Sequence, residues 1–242
     1  MRVFPHPGLH PVFEALAYAL GYALYKFLRG REGDTLSDDR RWLIIAATAL
    51  GALAGSRLLG ILEQAPRMGF HWQSLLLPGG KTIVGGLLGG WLAVELIKPI
   101  LGIKVRTGDL FAIPLCLGIA IGRIGCFLAG LADDTYGTPT SLPWAIDFGD
   151  GIPRHPTQLY EILFLLLLAL TLYFLSKRPH PTGALFRILM GAYLLWRLLI
   201  DFIKPQPLIH GLNLIQWACV AGLVAVAISA VTPSPQLKAL RG

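Results

Sequence analysis

The chain is 242 residues long, 54% hydrophobic and only 14% charged, with a formal net charge of +7 and a mean hydropathy of +0.60. That balance is too apolar for an ordinary water-soluble surface and places the chain in a bilayer. Its positive charge reads as anchoring at a membrane face rather than as a nucleic-acid footprint, so no nucleic-acid partner is expected.

Crossing about 30 Å of hydrocarbon as helix takes roughly 17–25 mostly apolar residues. Windows of that kind fall near 12–28, 42–62, 83–101, 110–131, 158–176, 184–203 and 212–231. They predict an all-α, seven-span protein forming one integral membrane domain over 1–242. The first window carries Glu14, Tyr18, Tyr22 and Tyr25 and follows no cationic region or small-residue cleavage site, so it reads as a retained span rather than a removable leader. Glycines recur at spacings of three and four as Gly51 and Gly55, Gly85, Gly86, Gly89 and Gly90, then Gly118, Gly122 and Gly125. Small residues on one face let membrane helices approach closely.

The connection at about 132–157 is the longest polar one and is rich in glycine and proline, which predicts an ordered loop. Within it Trp144-Ala145-Ile146-Asp147-Phe148 alternates like a short strand or an interfacial segment. Lysines and arginines number eleven in the segments that an N-outside topology puts inside and five in those it puts outside. This predicts N-outside, C-inside, with the long loop on the outer face. Cys116, Cys126 and Cys219 fall inside predicted helices at no metal-ligand spacing, and their odd number argues against a closed disulfide set. They read as small packing residues.

Eight ionisable residues lie within the windows: Glu14, Arg57, Glu95, Arg123, Glu161, Arg187, Arg197 and Asp201. Each costs roughly 2.5–3.5 kcal/mol at mid-bilayer even on a lenient scale, so they require pairing or hydration. The predicted topology brings six of them, Glu14, Arg57, Arg123, Glu161, Arg197 and Asp201, into the outer half of the membrane, beneath Arg154 and His155. Tyr193, Arg197, Asp201 and Lys204 share one helical face. Arg197 and Asp201 either satisfy each other or belong to an arginine site. Guanidinium groups bind phosphate oxygens bidentately and keep their charge, so the expected ligand is a phospholipid, whether as substrate, cargo or structural lipid.

The run Gly122-Arg123-Ile124-Gly125-Cys126-Phe127-Leu128-Ala129-Gly130 followed by Tyr136-Gly137 resembles the signature of the prolipoprotein diacylglyceryl transferase family. So do Ser56-Arg57-Leu58, Gly85-Gly86-Leu87-Leu88-Gly89, Tyr193 with Arg197, and the specific run Pro153-Arg154-His155-Pro156-Thr157-Gln158-Leu159-Tyr160-Glu161. These matches spread over five of the seven windows in the family's order. The resemblance implies transfer of a diacylglyceryl group from phosphatidylglycerol to the lipobox cysteine thiol of a prolipoprotein signal peptide. A thioether forms and glycerol phosphate is released, at the outer face of a bacterial cytoplasmic membrane. No cofactor or metal is implied.

The resemblance assigns lipid-phosphate binding and entry to Arg123 and Arg197, with Tyr193 beside them. Arg57, Gly85 and Gly86 match motif positions expected around the bound substrates, and Asp201, on the same helical face as Arg197, is expected there too. Arg154, Gln158, Tyr160 and Glu161 match there too, and read more as architectural groups. The family's histidine before the paired glycines, its proposed general base, is Val84 here. Its usual asparagines are Cys126 and Ala129, and its acidic residue corresponds to Asp133 or Asp134. His155 is therefore a candidate substitute base, because an imidazole titrates in a suitable range; a bond to a loop carbonyl is its other reading. These departures leave open a lipid alkyl transferase with a different acceptor, or a non-catalytic lipid-binding or transport paralogue.

Overall fold

A computed structural model describes residues 5–68 and 80–232. Its described residues form seven α-helices: α1 (His10–Glu32), α2 (Asp38–Met68), α3 (Ile83–Ile100), α4 (Asp109–Ala129), α5 (Thr157–Ser176), α6 (Ala184–Ile200) and α7 (Leu214–Val231). Each overlaps one window expected from the sequence. Five of them (α2, α3, α4, α5 and α7) are long and apolar enough to cross a membrane, which makes this a membrane protein. The other two fall short for visible reasons. α1 carries Glu14, Lys26, Arg29, Arg31 and Glu32, and α6 has only 17 residues before a 3₁₀ turn, Asp201–Ile203, takes over. Arg2, Arg67, Lys238 and Arg241, all part of the charge count, lie outside the described side chains.

Helix boundaries follow local chemistry. Asp38 and Asp39 open α2, where carboxylates meet the positive end of the helix dipole. Thr82 caps α3 by accepting from the Gly85 amide at 3.2 Å. Asn213 and Gln216 form a reciprocal capping box at the start of α7. Gly130, at φ 63°, ends α4 and turns the chain into a 3₁₀ stretch, Gly130–Asp133.

The chain divides into two compact units. One contains α1, α4, α5, the loop between α4 and α5, and residues 184–189 of α6; α4 packs against both α1 and α5. Tyr25 stacks on Phe111 with centroids 4.5 Å apart, joining α1 to α4. In the α4–α5 loop, β1 (Ile146–Asp147) pairs antiparallel with β2 (Pro153–Arg154), inside the segment whose alternation suggested a strand. Further bonds run from the Gly137 amide to the His155 carbonyl and from the His155 amide to the Thr138 carbonyl, at 2.9 and 3.1 Å. A Cβ at Gly137 would come within 2.6 Å of the His155 Cβ. The Tyr136-Gly137 motif therefore needs its glycine for close approach.

The other unit contains α2, α3, α7 and the remainder of α6. α2 and α3 meet backbone to backbone. A Cβ on Gly89 would lie 2.3 Å from the Gly51 carbonyl oxygen, and one on Gly85 2.3 Å from that of Gly55. Gly51 and Gly55 on α2, and Gly85 and Gly89 on α3, are each four apart, so the glycine spacing read from the sequence is a helix–helix seam. Gln216 of α7 donates to the Leu198 carbonyl at 3.0 Å.

Candidate active site

Arg123 projects from the last two turns of α4, and Glu161 from the second turn of α5. The Arg123 Nε lies 2.9 Å from Glu161 Oε2, with the side chains only 6% and 2% exposed. The two sequence motifs, GRIGC and PRHPTQLYE, thus converge on one buried ion pair. One turn before Glu161, Gln158 is also buried; its Nε2 donates to Thr135 Oγ1 at 3.2 Å, and its Oε1 has no hydrogen-bond partner among the described residues. Thr157 closes the same corner by donating to the Thr135 carbonyl at 2.5 Å. The start of α5 has no side-chain N-cap, and these bonds fix it to the chain that follows α4.

On the other side of Arg123, its Nη1 lies 3.6 Å from Cys126 Sγ, which is 3.7 Å from His10 Nε2. That nitrogen is also 3.3 Å from Asp133 Oδ1. Donor atoms of His10, Cys126 and Asp133 fall within 4.8 Å of one another. A permanently charged guanidinium against the sulfur disfavours a cation there. Cys126, read from the sequence as packing, is instead a polar neighbour; Cys116 and Cys219 are fully buried packing residues.

A family model for prolipoprotein diacylglyceryl transferase matches residues 10–232. The chain belongs to this family. Curated relatives named phosphatidylglycerol–prolipoprotein diacylglyceryl transferase include those of Bordetella avium, 32% identical over 91% of this chain and 89% of the relative, and Geobacter sulfurreducens, 33% identical over 83% and 84%. The Zymomonas mobilis relative of the same name is 28% identical over 90% of this chain and 78% of the relative.

Other residues picked out by the transferase motifs fall in the loop before α5. Arg154 makes a two-pronged contact with Asp150, both distances 2.7 Å, and stacks over the Tyr136 ring 5.0 Å from its centroid. The guanidinium holds the Asp150 carboxyl down at about 2, and Asp150 in return raises Arg154 further. Desolvation, then the charge of Asp134, raises the Tyr136 phenol. His155 Nδ1 lies 3.2 Å from the Tyr160 hydroxyl, which accepts from Trp144 Nε1 at 2.7 Å. Among the described residues the His155 ring is therefore tied to a side chain, the Tyr160 hydroxyl.

In the second unit Arg197 Nη2 and Asp201 Oδ1 are 2.9 Å apart, with side chains 5% and 1% exposed. Tyr193, one turn earlier, is fully buried. The α-helix stops at Ile200, so Lys204 lies beyond the helical face on which the sequence pattern placed it. Beside Arg57 on α2, Ser56 receives the Thr82 amide on Oγ at 3.0 Å. Gly85 lies in the glycine seam, Gly86 lies 3.7 Å from α2 by its would-be Cβ, and Val84 is buried at 1% exposure. His10 is the site residue that motif reading missed. It stands 116 positions from Cys126, and its only sequence signal is an imidazole at the polar edge of the first apolar stretch.

Proposed function

We propose that this protein transfers a diacylglyceryl group from phosphatidylglycerol to the lipobox cysteine thiol of a prolipoprotein, forming a thioether and releasing glycerol phosphate. The observation that carries this reading is the buried Arg123–Glu161 pair, which joins the two most specific motifs of a family whose relatives bear that activity in their names. The reading assigns all seven helices to the membrane, N-terminus outside. It puts the reaction at the outer leaflet of a bacterial cytoplasmic membrane and the α4–α5 loop above it.

Glu161 lies against the Nε edge of Arg123 and balances its charge. The Arg123 Nη1 lies 3.6 Å from the Cys126 sulfur, a weak acceptor. A phosphodiester oxygen would replace that contact with a charge-assisted bond. As the glyceryl carbon–oxygen bond breaks, negative charge gathers on the departing phosphate, and a fixed guanidinium stabilises it more than it does the diester. Arg197, paired with Asp201 and with Tyr193 one turn away, is by itself a cation suited to lipid phosphate. The acceptor sulfur attacks as thiolate, so its proton must leave. Gln158, Arg154 and Tyr160 brace the start of α5, on which Glu161 stands.

The test incubates the purified protein with phosphatidylglycerol and a lipobox peptide and weighs the peptide. A gain of one diacylglyceryl group is expected; bound lipid without any gain would overturn the transferase reading.

A further inference from the structure

We propose that His10, oriented by Asp133, is the catalytic base that takes the proton from the acceptor thiol. This rests on the transferase reading above and names the residue performing its proton step. In that step the thiol gives its proton to the imidazole and the resulting thiolate forms a bond to the glyceryl carbon. The carbon–oxygen bond breaks with its electron pair leaving on glycerol phosphate, and the imidazolium then returns its proton to that phosphate or to water.

Among the described residues His10 is the histidine that meets a carboxylate. Asp133 Oδ1 lies 3.3 Å from Nε2, so the carboxylate faces that edge of the imidazole. We assign the ring proton to Nε2, beside that carboxylate, which leaves the lone pair on Nδ1, an atom with no hydrogen-bond partner among the described residues. The His10 side chain is 34% exposed, enough for a substrate group to reach it. His155, by contrast, has its Nδ1 on the Tyr160 hydroxyl.

The base also stands where the reaction needs it. Cys126 Sγ bridges His10 Nε2 and Arg123 Nη1, at 3.7 and 3.6 Å. The imidazole ring and the proposed phosphate clamp are therefore separated by one sulfur atom. The charged and titratable groups facing the imidazole are Asp133 from the 3₁₀ stretch and Cys126, backed by Arg123, from α4; Glu14 lies one turn along α1, contacting Tyr18.

The backbone builds this arrangement. Gly125 lets α1 close on α4, since a Cβ there would lie 2.8 Å from the Phe13 Cβ and 3.2 Å from the His10 carbonyl oxygen. The His6 amide donates to the Leu128 carbonyl at 2.7 Å, pinning the approach to α1. The turn at Gly130 then brings Asp133 back toward the imidazole.

The experiment measures peptide mass gain and phosphatidylglycerol binding across pH 6–9 for wild type, His10→Gln and Asp133→Asn. In wild type the rate rises with pH as the base loses its proton. His10→Gln is expected to lose roughly 10²–10⁴-fold in rate, the usual worth of a positioned base, and the acid limb of the profile, with lipid binding within threefold of wild type. Asp133→Asn, which changes a positioning residue, is expected to move that limb to lower pH. An active wild type with an unchanged His10→Gln rate and profile overturns the base assignment alone. A wild type that binds lipid but transfers nothing overturns the transferase reading and this inference with it. Should His10→Gln fail to fold, an acid limb unmoved in Asp133→Asn overturns the proposal.

Discussion

The Arg123 Nε and Glu161 Oε2 meet at 2.9 Å in a nearly water-free setting. Two charges buried together are tolerable because each offsets the other's desolvation; one left alone is not. Glu161 thereby offsets the burial of the Arg123 charge, while another edge of the same guanidinium lies against Cys126.

Glu161→Gln should therefore damage both stability and transfer. Losing one member of a buried pair costs about 3–5 kcal/mol, which denaturant titration in detergent would register as a lower midpoint. Glu161→Asp, which keeps the charge on a shorter arm, should recover more stability than turnover. Equal recovery of both would mean that the pair's geometry does not matter to the chemistry.

For Arg197 and Asp201, 2.9 Å apart and both buried, the expectation separates stability from function. Arg197→Met leaves Asp201 as an uncompensated buried carboxylate and should cost about 3–5 kcal/mol. Adding Asp201→Leu should recover most of that loss, because apolar replacement of a whole pair is often neutral, yet transfer should stay lost. Restored transfer in the double variant would take Arg197 out of lipid binding.

How much was legible before the structure depended on how local each signal was. Helices are set by runs of apolar side chains, so all seven windows reappear as α1–α7, and the Ile146–Asp147 strand was visible in its alternation. Arg123 and Glu161 were visible as motif residues and as charges needing partners, although their mutual pairing joins positions 38 apart on two helices. The His10–Asp133 contact was invisible because a turn at Gly130 and the glycine at 125 create it, and neither residue advertises the other. Lys204 was misplaced for a similar reason: a helical face extrapolated past Ile200 ignores the 3₁₀ turn that replaces it.

The glycine seam between α2 and α3 should be intolerant of even one methyl group. Gly89→Ala would force its Cβ to within 2.3 Å of the Gly51 carbonyl oxygen, a backbone atom with no rotamer to escape into. Overpacking of this kind costs about 1–3 kcal/mol. Gly8→Ala, with nothing within 4 Å of its Cβ, serves as the control. A Gly89→Ala melting curve superimposing on that control would mean that the two helices are not in backbone contact.

Acid should loosen the α4–α5 loop late and in a defined window. The Arg154 guanidinium depresses Asp150 from its ordinary 3.8 to about 2. Because the folded-state value is the lower one, the bridge's contribution is fully present above about pH 3.8 and is lost as pH falls toward 2. Asp150 is solvent-exposed, so salt screens the effect and it stays local. The amides of Gly149 and Gly151 bond to Asp147, whereas that of Ile152 bonds to Asp150 Oδ1 at 3.2 Å. Hydrogen exchange at Ile152, normalised for the intrinsic pH dependence of exchange, should therefore accelerate between pH 3.8 and 2 in the wild-type protein. In Asp150→Asn it should already be fast and flat across that window. Equal profiles for the two proteins would show that Arg154 does not hold the carboxylate.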